Sequence, residues 1–324
     1  MVKELNPKRF NAFVGYSRSP AAAYISRELE WYSDDAEQVI GTLLLDIVDF
    51  DYAAIVLGRD EGGRFRAIDT RSSVEAIGDA RQWLHETIDF YSANAQGYFS
   101  QGDLRKGPDL FTPIISPEKQ HPYFSELINN TAFLSAKHII QEMMPHFIDI
   151  DGNFVEQFQS TGFDSRLWEL YLNAYLVEEQ LFIDRSHYAP DFLVTKFDDI
   201  VAIEAVIVGR KASNPPKHSN KFNYSFDPGQ IAYERENAMP IRFGSPLFSK
   251  LKKKYWQLPH VSGKPLVMAI ADFHDDQSYR GGPLRRKTGY CPGRRGYQRG
   301  PGRGTGGSQT SYSGWSCGGG LAFL

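Results

Sequence analysis

The chain has 324 residues, 41% hydrophobic and 14% aromatic, which is enough apolar material for two domains with real cores and excludes a wholly disordered protein. Its formal net charge of −3 is an average over unlike parts: residues 1–279 hold 28 basic against 39 acidic residues, while 280–324 hold seven Arg, one Lys and no acid. A mildly acidic body is not expected to coat itself on nucleic acid non-specifically, so any contact with a polyanion must be local. No apolar run is long enough to span a bilayer, and the opening MVKELNPKRF lacks the apolar stretch of a secretion signal; a cytoplasmic protein without a membrane partner is the expectation. Cys291 and Cys317 form no CxxC pair, so neither a structural zinc nor a disulfide framework is expected.

Taken in chain order, residues 1–150 read as a smaller α+β domain of unassigned role. SPAAAYISRELEWY (19–32) reads as a helix with Ser19 as cap and Pro20 in its first turn. DYAAIVLGRD and RFRAIDT flank EGG and predict a hairpin. Residues 72–91 and 123–147 have helical spacing, with loop between them. The histidines of this half (His85, His121, His138, His146) share no ligand spacing and read as structural or surface residues.

Residues 151–279 read as a second domain. FDSRLWELYLNAYLVEEQ (163–180) predicts an amphipathic helix capped by Asp164 or Ser165. Three strands follow, LFIDRS (181–186), DFLVT (191–195) and IVAIEAVIV (200–208). A polar loop with NPPKHSNK leads to a helix over 245–257, opened by Ser245 and Pro246, and GKPLVMAIADF (263–273) closes as a buried strand parallel to an earlier one. Residues 280–324, with fourteen Gly, no Val and no Ile, form a Gly/Arg-rich tail that cannot build a core and is expected to be disordered or out of frame.

The chemistry-bearing feature is an acid in the middle of an apolar strand. A tight turn between Phe197 and Asp198 would pair Thr195 with Ile200, Leu193 with Ala202 and Asp191 with Glu204. Like charges facing each other across a sheet repel, and burial raises the cost. A hard divalent cation, Mg²⁺ or Mn²⁺, between the two carboxylates would relieve it. An ion pair of Glu204 with Arg185 or Arg210 would explain the buried acid without catalysis.

A helix with an inward Glu, PD on one strand, E-A-x in the middle of the next, then a Lys-bearing helix and a buried strand resembles the PD-(D/E)XK (restriction-endonuclease-like) nuclease superfamily over residues 163–273, and these blocks are also similar to uncharacterised bacterial proteins. The resemblance implies an α/β fold with an αβββαβ core. It also implies metal-dependent hydrolysis of phosphodiester bonds of nucleic acid, DNA before RNA, and allows a homodimer. Asp191 and Glu204 would be the metal-binding acids, and Glu169 the helix glutamate that some members add. The superfamily expects a lysine at 206, where this chain has Val206. Lys250 on the following helix is the first choice to replace it, and Lys253, Lys254, Gln257 and Arg242 are candidate nucleic-acid contacts. If no basic group reaches the acids, the domain is a degenerate nuclease fold that binds nucleic acid or protein.

Overall fold

A computed structural model describes residues 1–94, 97–102, 107–210, 229, 233–274 and 322–323. The NPPKHSNK loop and almost all of the Gly/Arg-rich tail lie outside these residues. The described residues are mixed α/β and form two sheets. Contacts divide the chain into two units, Met1–Ile203 and Glu204–Leu324, with the division inside one strand.

The first unit opens with an antiparallel meander: β1 (Lys3–Glu4), β2 (Ser26–Ser33), β3 (Val39–Asp46), β4 (Tyr52–Arg59) and β5 (Phe65–Val74), each paired with the next. The hairpin expected around EGG is the β4–β5 pair, whose last rung is Arg59↔Phe65. β3 is buried along most of its length because both faces are covered. Val39 and Leu43 point to one side, against Leu84 and Ile88 of helix α3 (Ile77–Asn94). Ile40 points to the other, against Phe10 and Val14 of α1 (Pro7–Val14). Gly41 permits the close approach of α3, since a Cβ there would lie 2.7 Å from Leu84 Cδ1 and 3.0 Å from the carbonyl of Ile55.

The helix expected over 19–32 is corrected: only Ala22–Ile25 is helical (α2), and the next eight residues are β2. The first five residues of SRELEWYS alternate in burial, and β3 offers a ladder from Ser26↔Asp46 to Ser33↔Ile40 with one bulge between Glu28 and Glu30. The alanines keep their helical preference in α2, and strand pairing takes over from Ser26 onward.

A helical layer follows, α4 (Pro122–Asn129), α5 (Leu134–Met143), α6 (Phe154–Gln159) and α7 (Phe163–Glu178). It closes on Phe124, Phe158, Phe163 and Leu170. Buried Gln159 ties down the preceding loop, donating to the carbonyls of Leu110 (3.1 Å) and Thr112 (2.8 Å) and accepting from Ile114 N (2.8 Å). The expected side-chain cap on α7 is corrected: Gly162 holds the cap position and neither Asp164 nor Ser165 caps the helix.

The unit ends in β6 (Phe182–Asp184), β7 (Phe192–Lys196) and the first half of β8 (Asp199–Val208), all antiparallel. Phe197 (φ 53°) and Asp198 (φ 78°) form the two-residue turn between β7 and β8, the positive-φ geometry whose twist matches a hairpin. Thr195↔Ile200 and Leu193↔Ala202 pair as the sequence predicts, and the ladder ends at Phe192↔Ile203.

The second unit holds the rest of β8, helix α8 (Met239–Leu251), β9 (Leu266–Asp272) and the two-residue β10 (Ala322–Phe323) beside β9. Phe273 N donates to the carbonyl of Val208 at 2.9 Å, so β8 and β9 finish at the same end, as a parallel pair requires. The expected bounds of α8 are corrected at both ends. It begins at Met239, directly after a π-helical turn at Glu234–Ala238, with Pro240 near its start and Pro246 inside it. It stops at Leu251, and Lys254 turns the chain in the left-handed region (φ 52°) before a short 3₁₀ turn at Tyr255–Gln257.

Candidate functional site

Glu204 occupies the centre of β8 and is 2% exposed. A carboxylate so placed needs a partner, because an uncompensated buried charge costs several kcal/mol, on the order of 3–5 when an ion pair is broken. Two groups supply it on the same oxygen. Lys250 Nζ donates to Glu204 Oε1 at 2.5 Å, and the Tyr255 hydroxyl donates to it at 2.6 Å.

The route of each partner is local. Lys250 stands in the last turn of α8, not near its start, so its long side chain reaches down to the sheet while its stem is 29% exposed. Tyr255 is carried inward by the left-handed residue Lys254, a conformation that costs roughly 1–2 kcal/mol for a residue with a Cβ. Tyr255 was not foreseen from sequence; a single Tyr in the polar stretch KLKKKYWQ was its only signal.

Because the helix expected over 245–257 ends at Leu251, Lys253, Lys254 and Gln257 do not share it with Lys250. Lys253, Lys254 and Gln257 are exposed beyond it, and Lys253 Nζ lies 5.7 Å from the Tyr255 ring centroid. Arg242, in the first half of α8, donates from Nη1 to Nε2 of His274 at 2.8 Å.

The other two candidate acids are arranged within the first unit. Glu169 on α7 accepts from Arg166 at 2.7 Å. Asp191 stands one residue before β7, and the β7–β8 ladder ends one rung short of the position that would pair it with Glu204. Glu169 and Asp191 share an electrostatic neighbour in Arg185. That guanidinium donates to Asn173 Oδ1 (2.8 Å) and to the carbonyl of Asp191 (3.1 Å), and stacks 4.5 Å from the Phe192 ring centroid. Burial pulls its pKa down to about 10, against the charges of Glu169 and Asp191, which raise it. Arg185 thus serves the chain around Asp191, and it is Lys250 that meets Glu204.

Among the described residues no three or more His, Cys, Asp or Glu side chains gather as a metal-holding group. Carboxylate oxygens are the donor type that Mg²⁺ takes, commonly one or two of them with several waters and a substrate phosphate instead of an all-protein cage. Among the described residues no helix is long and apolar enough to cross a membrane. Comparison with family models, with curated proteins and with solved structures finds no match for this chain.

Proposed function

We propose that the chain is a metal-dependent nuclease of the restriction-endonuclease-like fold that hydrolyses phosphodiester bonds of DNA or RNA. One observation carries this reading: a lysine from a separate helix meets the mid-strand glutamate, Lys250 Nζ to Glu204 Oε1 at 2.5 Å, in a chain that has Val206 where the superfamily pattern has lysine. The order α7-β6-β7-β8-α8-β9 supports it. Glu204 and Asp191 are the carboxylates assigned to Mg²⁺ or Mn²⁺, with Glu169 as an added acid. When bound, such an ion polarises a phosphoryl oxygen and makes water a better nucleophile.

The chain's own residues do the rest. Lys250 places a positive charge beside the reacting phosphate, where it offsets the negative charge that grows as the transition state forms. Tyr255 holds one oxygen of Glu204 and so fixes the carboxylate plane. Arg242, with Lys253, Lys254 and Gln257, contacts the nucleic-acid backbone.

The test is cleavage of labelled plasmid and single-stranded DNA with Mg²⁺ or Mn²⁺ by wild type, Glu204→Gln and Lys250→Ala. Activity lost in both variants supports the assignment. Cutting that survives Glu204→Gln, or no cutting by well-folded wild type, sinks it. The second reading, a nuclease-fold module that binds without cutting, is favoured by the fact that Lys250 and Tyr255 together already balance Glu204. It expects binding without cleavage in the same assay.

A further inference from the structure

Helix α8 is 13 residues long and buries none of them fully. Its outward stripe is apolar: Ile241 is 76% exposed, Phe248 59% and Leu251 44%. At about 100° per residue, Phe248 lies within about 20° of Ile241 around the axis and Leu251 within about 80°. Lys250 lies about 180° from Ile241, on the side where it meets Glu204. The stripe is therefore a surface separate from the Glu204 site.

Gly244 and Ser245 stand in the middle of that stripe. Glycine inside a helix is destabilising relative to alanine, because it loses more backbone freedom on folding. Among the described residues a Cβ at Gly244 would meet nothing within 4 Å, so packing inside the chain does not ask for glycine there. Charge runs along the same line. Exposed Glu236, in the π-helical turn ahead of α8, stands about one turn before Ile241. Lys252, also exposed, stands one turn after Phe248, with its Nζ 4.5 Å from the Phe248 ring centroid.

We infer that this face binds a second copy of the chain, with the two α8 helices antiparallel about a two-fold axis between Gly244 and Ser245. A two-fold interface must be complementary to itself. The stripe reads Glu236, Ile241, Gly244–Ser245, Phe248, Lys252; reversed, it sets acid against base, Ile241 against Phe248 and the small pair against itself. Small residues at the crossing let two helix axes approach toward the short end of the usual 8–10 Å, roughly, for packed helices. A nucleic-acid strand would be repelled by Glu236, and an anionic lipid surface would be too. With α8 about 20 Å long, the contact falls at the small end of specific interfaces, below about 1,200 Å². The dimer is thus expected to dissociate at micromolar concentration, and Lys250 stays with Glu204 in each copy.

Sedimentation velocity of the full chain from sub-micromolar to high-micromolar concentration tests this. Wild type is expected to shift from one chain mass toward two. Phe248→Glu should stay monomeric throughout, and Gly244→Leu should weaken association at least about tenfold, the equivalent of one well-packed contact. Gly244→Ala separates the interface from a role within the fold: it should raise the urea midpoint of the monomer while weakening the dimer. Glu236→Lys and Lys252→Glu should each weaken association, and mixing the two variants should restore it, because each copy then meets the opposite charge. Circular dichroism confirms that each variant is folded; the exposed charge pair keeps the test decisive if Phe248→Glu is not. Monomeric wild type at the highest concentration, a dimer that survives Phe248→Glu, or a mixture that does not recover overturns the proposal. Monomeric wild type that pellets with phosphatidylserine vesicles through Phe248 also overturns it, and assigns the face to lipid.

Discussion

Lys250 Nζ donates to Glu204 Oε1 at 2.5 Å, joining the end of helix α8 to a strand carboxylate that is 2% exposed. Breaking a buried pair leaves a stranded charge, whereas replacing both partners with neutral groups of similar shape is often nearly neutral. Lys250→Ala should therefore destabilise the protein by about 2–3 kcal/mol, below the range for fully enclosed pairs because Lys250 is 29% exposed. Glu204→Gln combined with Lys250→Met should recover most of that loss. Urea unfolding of the two singles and the double closes the cycle, and a double variant as unstable as the sum of the singles would contradict the pairing.

Arg185 holds the chain at Asp191 by a planar fork and an aromatic stack, neither of which lysine reproduces. Arg185→Lys is expected to lose about 2 kcal/mol, the scale of hydrogen bonds made by a charged group. In the proposed nuclease it should also lower cleavage, because Asp191 loses its anchor. Thermal and urea unfolding beside the cleavage assay would check both; wild-type stability in the Lys variant would show that the fork does not matter.

Burial, helped by the charge of Glu178, pushes the Tyr16 phenol up to about 12 from its ordinary 10. The folded state thus holds the proton more tightly than the unfolded state. This contribution is fully present below about pH 10 and is lost as pH rises through about 12. Tyr16→Phe should flatten the fall of stability across that window, and the late phenolate absorbance of the folded wild type, to which Tyr32 also contributes, should shrink by one tyrosine in the variant. Superimposable stability–pH curves for the two proteins would refute it.

Asp198 has φ 78° in the β7–β8 turn, a region where glycine pays no steric cost. Asp198→Gly is expected to raise stability by up to about 1 kcal/mol with the register unchanged. A higher urea midpoint with an unaltered slope is the expected reading; a lower midpoint would mean that the Asp side chain contributes more than its backbone strain costs.

Much of the hairpin that carries Asp191 and Glu204 was legible from sequence. Two apolar runs joined by the two-residue turn at Phe197 and Asp198 set the register, because the turn length fixes which residues face each other, from Lys196↔Asp199 to Phe192↔Ile203. The order of elements from α7 to β9 was legible from apolar runs and helical spacing separated by turn and polar segments. Where two local preferences competed, the sequence misled. SRELEWYS begins with strand alternation but follows an alanine-rich helical start, and only pairing with β3 decides between them.

By itself, then, the sequence determined the class of the fold, the β7–β8 register and the anomaly of an acid at 204, because each is written in the spacing of neighbouring residues. Only the tertiary structure decided what meets that acid. Lys250 and Tyr255 lie 46 and 51 residues away, in the last turn of a helix and just after it, and the ends of that helix were not where proline and serine suggested. The His274 contacts to Arg242 join elements 32 residues apart. Such contacts depend on how a helix crosses a sheet, which is set by the packing of whole faces and leaves no periodic trace at the residues that touch.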